Sequence, residues 1–522
     1  MINNDLKKLQ NGSDIRGVAV SVKGGQPANL DQDETVALTR AFLLWLCRHT
    51  GKTPENIKIA IGRDPRVSGK HLMEAVTAGL GPYGVRMLDC GLASTPAMFM
   101  STVFPEFLCD GAVMITASHL PYNRNGFKYF CRDGGLEKKD ITQIIETAIE
   151  YGGSPSPLGP PAFADDFSMI FGRKTYTAEP AELMKKYCAH MRDIICYGIN
   201  NGEKPLSGMK IAVDAGNGSG GFYARDILAP LGADISGSQF LDPDGTFPNH
   251  PSNPEDKSAM EALSLAVLSS GSDLGLIFDT DVDRSAAVDD CGREISRNGI
   301  IALASAIIAE DHPGTAVVTD SVTSDHLTDF LENHLDIRHF RFRRGYRNVI
   351  NKSIELNRSG TDSQLAIETS GHAAFKENYF LDDGAYLAAR IVIKAAKMKQ
   401  EGRTLDSLIS AMDHPAESKE VRMPITAGDF SSYSDKILYE TKAAIGSGRA
   451  PGMSLAKPCY EGIRIDFDEK NGNGWCLLRK SLHDPLMPLN MESDSSGGCA
   501  VISSHMHDLL RKYGSLDISG LL

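Results

Sequence analysis

Only two tryptophans stand in 522 residues, no two cysteines are spaced C-x-x-C, no apolar run approaches the length of a membrane span, and positive charge is in deficit. Each shortage excludes something. The longest apolar runs, 41–47 and 300–309, fall well short of the roughly 20 residues that cross a bilayer, so no membrane span is expected. The net charge of -13, from 54 Lys+Arg against 67 Asp+Glu, argues against nucleic acid or an anionic membrane as partner. An anionic substrate must then be held by a local cluster of cations. Ten scattered cysteines without zinc-like spacing fit reduced thiols rather than disulfides or a structural metal. The first residues, MINNDLKKLQNGSD, have neither an apolar h-region nor an Arg/Ser-rich amphipathic stretch, and a cytoplasmic location is expected. Oligomeric state leaves no mark in the sequence.

What is present is a large globular chain, 42% hydrophobic and 23% charged, long enough for three or four domains. Three segments share a plan of short apolar strand, polar turn with Asp or Gly, then a helical stretch: IKIAIGRD at 57–64, MKIAVDAG at 209–216 and TAVVTDS at 315–321. This predicts three related α/β units, each opening on a buried strand. The run GGSPSPLGPPAFA at 152–164 reads as a linker. Further boundaries are expected at 292–299, before a helical stretch from Ile300, and at 414–418, where a helix-like run ending AMDHPAES changes character. The last hundred residues alternate as strands do in GIRIDF and GWCLLRK and end on a helical HMHDLLRKY, a smaller α+β domain. The predicted domains are 1–165, 166–298, 299–415 and 416–522.

Two segments carry chemistry. In 112–129, AVMITASHLPYNRNGFKY, an apolar strand runs into a polar loop with Ser118, His119 and, ten residues after the serine, Lys128. Such a serine is either a nucleophile or phosphate carrier or an ordinary turn residue. The G-x-S-x-G elbow of serine hydrolases is absent. In 274–284, LGLIFDTDVDR, a buried strand meets Asp279, Asp281 and Asp283. In an extended chain a spacing of two puts all three carboxylates on one side, where they repel unless a hard divalent cation such as Mg²⁺ sits among them. An EF-hand would need Gly and Glu where Arg284 and Asp290 stand. A solvated acidic turn is the competing reading.

TASH with its downstream NGFK, followed by DTDVDR, resembles the α-D-phosphohexomutase superfamily, which includes phosphoglucomutases and phosphomannomutases. DIRG at 14–17, GRDPRVSG at 62–69, DAGNGSGG at 214–221, ETSGH at 368–372 and R-x-S at 479–481 extend the resemblance along the chain. It implies three related mixed α/β domains plus a smaller C-terminal α+β domain around a central cleft. It implies a phosphohexomutase interconverting hexose 1-phosphate and hexose 6-phosphate, of glucose or mannose, with a small-molecule sugar phosphate as partner. Ser118 would be the phosphoserine, and Asp279, Asp281 and Asp283 the Mg²⁺ ligands, with an oxygen of the phosphorylated Ser118 completing the site. Hexose 1,6-bisphosphate would be the intermediate and the activator. Arg16, Lys128 and Arg284 match cationic positions around the phosphoserine, with His119 beside it. Glu368 and Ser370 match the loop that holds sugar hydroxyls. Arg347 takes the place of a substrate-loop Lys, and His372 is a candidate general acid or base. Arg479 and Ser481 match the phosphate loop of the C-terminal domain.

That last loop departs from the family pattern. Leu482 and His483 stand where Gly or Asn and Thr are usual, and Pro488 replaces an Arg, so phosphate grip or substrate choice is expected to differ. Leu120 replaces an Asn after TASH. GNGSGG at 216–221 satisfies G-x-G-x-x-G after a strand, but so short a pattern arises easily, and the phosphate-loop likeness of 62–70 fails because His71 replaces the required Ser or Thr. LIFDTDV also fits the haloacid-dehalogenase motif, which would make Asp279 a nucleophile and leave the other matches unexplained. A non-catalytic binding protein on a mutase fold is the remaining alternative.

Overall fold

Helix Gln32–Thr50 shows how local sequence signals set the elements: Asp31 and Glu34 form a capping box at its start, and Gly51, at φ 70°, ends it in the left-handed conformation that glycine adopts without penalty. The computed structural model describes residues 4–151, 176–448, 450–481 and 484–522. The expected linker at 152–164, like Leu482 and His483, lies outside the described residues. The chain separates into two compact units, one of residues 1–300 with 370–406, the other of 301–369 with 407–522.

The first unit holds two mixed sheets. In the larger, Lys58–Arg63 lies parallel to both Arg86–Leu92 and Gly111–Ile115, while Arg124–Cys131 runs antiparallel to Gly111–Ile115 and to Asp14–Val18. Gly111–Ile115 is buried at every residue, as its unbroken apolar sequence predicts, and helices Gln32–Thr50 and Lys138–Tyr151 supply much of the core against it. In the smaller sheet Leu274–Phe278 is parallel to Ile211–Asp214 and antiparallel to Ser285–Asp289, so the aspartate-rich segment 279–284 is the tip of a hairpin. Helix Gly384–Gln400 and the short hairpin of Ala373–Phe375 and Leu381–Asp382 complete this unit.

The second unit contains parallel strands Arg338–Arg341, Ala316–Thr319 and Ser363–Ile367. It also contains a five-stranded antiparallel sheet in the order Glu417–Pro424, Leu486–Ser493, Gly474–Leu478, Ile463–Phe467, Met453–Leu455, packed with helix Gly498–Leu510 around one apolar core. The opening strands of all three repeated segments are present, at Lys58–Arg63, Ile211–Asp214 and Ala316–Thr319, as are the C-terminal strands and helix. One expectation is corrected: the helix-like run does not reach AMDHPAES. The helix ends at Gln400, Gly402 takes φ 70°, and the following residues form a 3-10 turn at Leu405–Leu408 before the strand that begins at Glu417. All ten cysteines are free thiols. No helix among the described residues is long and apolar enough to cross a membrane.

Candidate active site

Ser118 sits three residues beyond strand Gly111–Ile115, in the left-handed region at φ 49° and only 4% exposed. A non-glycine residue held there implies that its surroundings fix it, and the surroundings are visible. Its N–H donates to Thr116 Oγ1 at 2.9 Å, and its carbonyl accepts from Arg66. Its Oγ donates to Asp279 Oδ2 at 2.9 Å and lies 3.3 Å from His119 Nδ1. The predicted serine and the predicted aspartate, 161 residues apart, are hydrogen-bonded.

Asp279, Asp281 and Asp283 are all buried and offer oxygens within 4.8 Å of one another. The expectation of an extended triplet is corrected: 279–284 is a turn, and Val282 adopts φ 66°, a conformation rare for a β-branched residue. The carboxylates converge because the chain curls. Thr95 fixes the middle one, donating from Oγ1 to Asp281 Oδ2 at 2.5 Å and from N to its carbonyl at 2.8 Å. Asp281 Oδ1 is buried with no hydrogen-bond partner, and burial together with Asp283 and Asp281 pushes the Asp279 carboxyl well above the usual range. An orphaned buried oxygen in an all-carboxylate set fits a hard divalent cation of the Mg²⁺ type. Asp279, Asp281 and Asp283 would hold it.

Cations surround the set. Lys128 Nζ donates to Asp283 Oδ2 at 2.7 Å and lies 3.5 Å from Asp14; burial opposes ionisation of Asp283, but Lys128 above all brings its net position well below the usual range. Arg16 pairs with Asp14 at 2.8 Å and reaches the Thr116 carbonyl. It stands opposite Gly126, where a Cβ would collide with the Ile15 carbonyl, so the glycine of NGFK is what lets these strands meet. Arg284 Nε lies 3.9 Å from Asp279 Oδ2 and donates to His372 Nε2 at 3.1 Å. His372 Nδ1 faces Ser370 Oγ at 2.9 Å. Burial, then Arg284, lowers His372 to about 4, so the ring is neutral near pH 7. His119 is exposed on its loop, and Arg284 ahead of desolvation lowers its pKa.

The remaining predicted residues lie in the second unit. Glu368 Oε1 accepts from Gly345 N at 2.6 Å, which ties the ETSGH segment to the loop RRGYR, and Arg347 lies in the first turn of helix Tyr346–Arg358. Arg479 Nε is buried without a hydrogen-bond partner. Burial and the nearby Arg344 lower its pKa, opposed by Glu461, Glu420 and Asp320. Ser481 Oγ accepts from Asp484 N at 3.1 Å. Pro488 lies in strand Leu486–Ser493 opposite Arg422, its carbonyl accepting from Arg479 N at 3.1 Å. Sequence reasoning missed Thr95 and Glu255, which belong to no recognised motif, Glu255 Oε2 lying 3.4 Å from Arg284 Nη1; it passed over Arg344 in the loop RRGYR and undervalued Arg66, noted only within GRDPRVSG.

Three family models match in order along the chain: phosphoglucomutase/phosphomannomutase alpha/beta/alpha domain I at residues 7–155, domain II at 185–292 and domain III at 296–414. A phosphoglucosamine mutase of Corynebacterium jeikeium is 30% identical over 360 residues, 67% of this chain and 72% of that protein. The chain belongs to the α-D-phosphohexomutase superfamily. Other members of that superfamily align over more of it. A phosphomannomutase/phosphoglucomutase of Pseudomonas putida is 29% identical over 440 residues, 84% of each chain. A phosphoglucomutase/phosphomannomutase family protein of Burkholderia thailandensis has the same fold, with TM-score 0.76 at 23% identity over 98% of each chain. The serine loop and the aspartate turn, which the sequence matched to the superfamily separately, are in direct contact through Ser118 and Asp279.

Proposed function

We propose that this α-D-phosphohexomutase interconverts hexose 1-phosphate and hexose 6-phosphate, of glucose, mannose or both, through phosphorylated Ser118. The observation that carries the reading is the 2.9 Å bond from Ser118 Oγ to Asp279 inside a ring of buried carboxylates and cations. A hexose hydroxyl attacks the phosphorus of phospho-Ser118; the new P–O bond forms as the bond to Oγ breaks, and the hydroxyl proton leaves to a base. His372 is the proposed acceptor of that proton, which requires its Nε2 to be released from Arg284 Nε, now 3.1 Å away. Lys128, Arg16 and Arg284 balance charge on the transferring group. Mg²⁺ held by Asp279, Asp281 and Asp283 would neutralise the phosphoryl oxygens. Ser118 Oγ takes up a proton as it releases its phosphoryl group; the hexose 1,6-bisphosphate then presents its other phosphorus, the new Oγ–P bond forms as the bond to the sugar oxygen breaks, and the Oγ–H proton passes to that oxygen, leaving a hexose hydroxyl.

Glu368 and Ser370 are read as the sugar-hydroxyl contacts and Arg347, Arg479 and Ser481 as grips on the non-reacting phosphate. The unpartnered Nε of Arg479 supports this, because a buried guanidinium N–H without an acceptor is costly. Domains at 1–165, 166–298, 299–415 and 416–522 would divide these tasks. Hexose 1,6-bisphosphate would activate by phosphorylating Ser118. The ten free thiols suit a cytoplasmic setting.

The test is incubation with Mg²⁺ and phosphate-labelled glucose 1,6-bisphosphate, then mapping of the label. Acid-stable label on Ser118, absent in Ser118→Ala, is expected. Hydroxylamine-labile label on Asp279 would refute the proposal.

A further inference from the structure

The glycine-rich segment 214–221 and the loop 244–252, DGTFPNHPS, take no part in the chemistry above, yet the structure joins them to each other and to Ser118. Asp214 ends strand Ile211–Asp214 and is fully buried. Its carboxylate accepts from Gly216 N at 2.8 Å and Gln239 Nε2 at 2.7 Å, and faces His250 Nε2 at 3.0 and 3.1 Å. The other ring nitrogen, Nδ1, lies 2.9 Å from the Pro251 carbonyl. Both neighbours are acceptors, so both nitrogens must donate, and a doubly donating imidazole is an imidazolium.

Two further bonds fasten the same arch: Asn217 Nδ2 to the Asp242 carbonyl at 2.8 Å and Asn249 Nδ2 to Asn217 Oδ1 at 2.7 Å. Its outer side leans on Arg66. Gly245 bridges Arg66 backbone to backbone, so closely that a Cβ at 245 would lie 2.7 Å from Arg66 Cα. The Phe247 ring lies 5.2 Å from the guanidinium. That guanidinium pairs with buried Asp64 at 3.1 Å. It also donates to the carbonyls of Ser118, Leu120 (2.6 Å), Pro121 (2.7 Å) and Arg124 (3.0 Å). The serine loop, 119–122, and the arch, 246–252, face each other across a cavity of about 290 Å³.

We propose that the Asp214–His250 ion pair is a proton-operated brace that, through the 244–252 loop and Arg66, positions the Ser118 loop. His250 is a positioning residue; only the catalytic consequence rests on the mutase reading. The charged groups facing it are Asp214 from the strand and Asp256 from the N-cap of helix Lys257–Ser270; Phe240 packs edge-on at 5.2 Å, and His119 and Tyr122 look across the cavity. Burial alone depresses His250, but Asp214, the Pro251 carbonyl and Asp256 bring it above its ordinary value. The brace is therefore held below that raised pKa and released as pH rises through it.

Hydrogen exchange of the peptide covering 116–125 in the full-length protein, corrected for the chemical rate between pH 6 and 9, tests the brace without assuming any activity. Protection is expected to fall about tenfold as His250 deprotonates, as for a local opening. In His250→Gln it should be low and pH-independent, and in His250→Arg, a permanent cation, restored and pH-independent. Helix Lys257–Ser270 should keep its protection in all three, showing that the variants fold. Identical protection of 116–125 in wild type and His250→Gln would overturn the brace. Turnover of glucose 1-phosphate is the second readout: an alkaline fall in kcat at unchanged KM that His250→Gln lacks. A brace seen by exchange in a protein that turns over no hexose phosphate would condemn the mutase reading alone.

Discussion

Replacing Asp281 by Asn should make the metal-free protein more stable and the enzyme inactive. The three carboxylates place oxygens within 4.8 Å of one another, where two unit charges at an effective dielectric near 20 repel by about 3.5 kcal/mol. Asp281 takes part in two such pairs, to Asp279 and Asp283. Lys128 at 2.7 Å from Asp283 and Arg284 at 3.9 Å from Asp279 offset part of this, and burial together with the same repulsion raises the Asp279 carboxyl. A net gain of about 1–3 kcal/mol for Asp281→Asn remains. The Asn Oδ1 still accepts from Thr95, so the change removes charge rather than packing. Mg²⁺ at a hundred times its dissociation constant should stabilise the wild type by about 2.7 kcal/mol and the variant by far less. Thermal unfolding with chelator and with Mg²⁺ measures both. An Asp281→Asn protein that is less stable than wild type without metal, or equally responsive to Mg²⁺, would refute a cation site built on this repulsion.

Lys128→Met should cost about 3 kcal/mol of stability, the price of leaving buried Asp283 without its partner, and at least about a hundredfold in kcat; denaturant titration and steady-state kinetics separate the two. Asp383 is 1% exposed, and burial lifts its pKa to about 6. A carboxyl raised above its unfolded value supports folding fully below about pH 4 and loses that support as pH rises through 6. Asp383→Asn keeps the acceptor for Tyr187 and for the cap at Tyr386 N but loses the one for Asn378 Nδ2, so its stability relative to wild type should be about 1–3 kcal/mol more favourable at pH 7 than at pH 4, read as Tm against pH. Arg479→Gln should raise KM for hexose phosphate about tenfold or more with a smaller change in kcat; an unchanged KM would remove Arg479 from the phosphate grip.

Much of the fold was legible because its signals are local. Apolar runs such as AVMI and LGLIF are strands, and motif order along the chain resembles one family. Where local signals were weak the reading failed: the run toward AMDHPAES stays apolar enough to look helical, but Gly402 stops it. The aspartate triplet was found for an incomplete reason, since alternation along a strand puts residues on one face, whereas these three meet because Val282 turns the chain.

Sequence by itself determined which groups can do chemistry: a serine after a buried strand, three aspartates after another, and the cations that accompany them. Only tertiary structure decided that Ser118 Oγ meets Asp279 across 161 residues, that Thr95 leaves one oxygen of Asp281 open, and that Arg66, 52 residues away, reaches the carbonyls of the serine loop. The physical reason is range. Backbone preference and hydrophobic period act over a few residues, while hydrogen bonds and charge pairs form between whatever side chains packing brings within about 3 Å, and no short pattern records that distance.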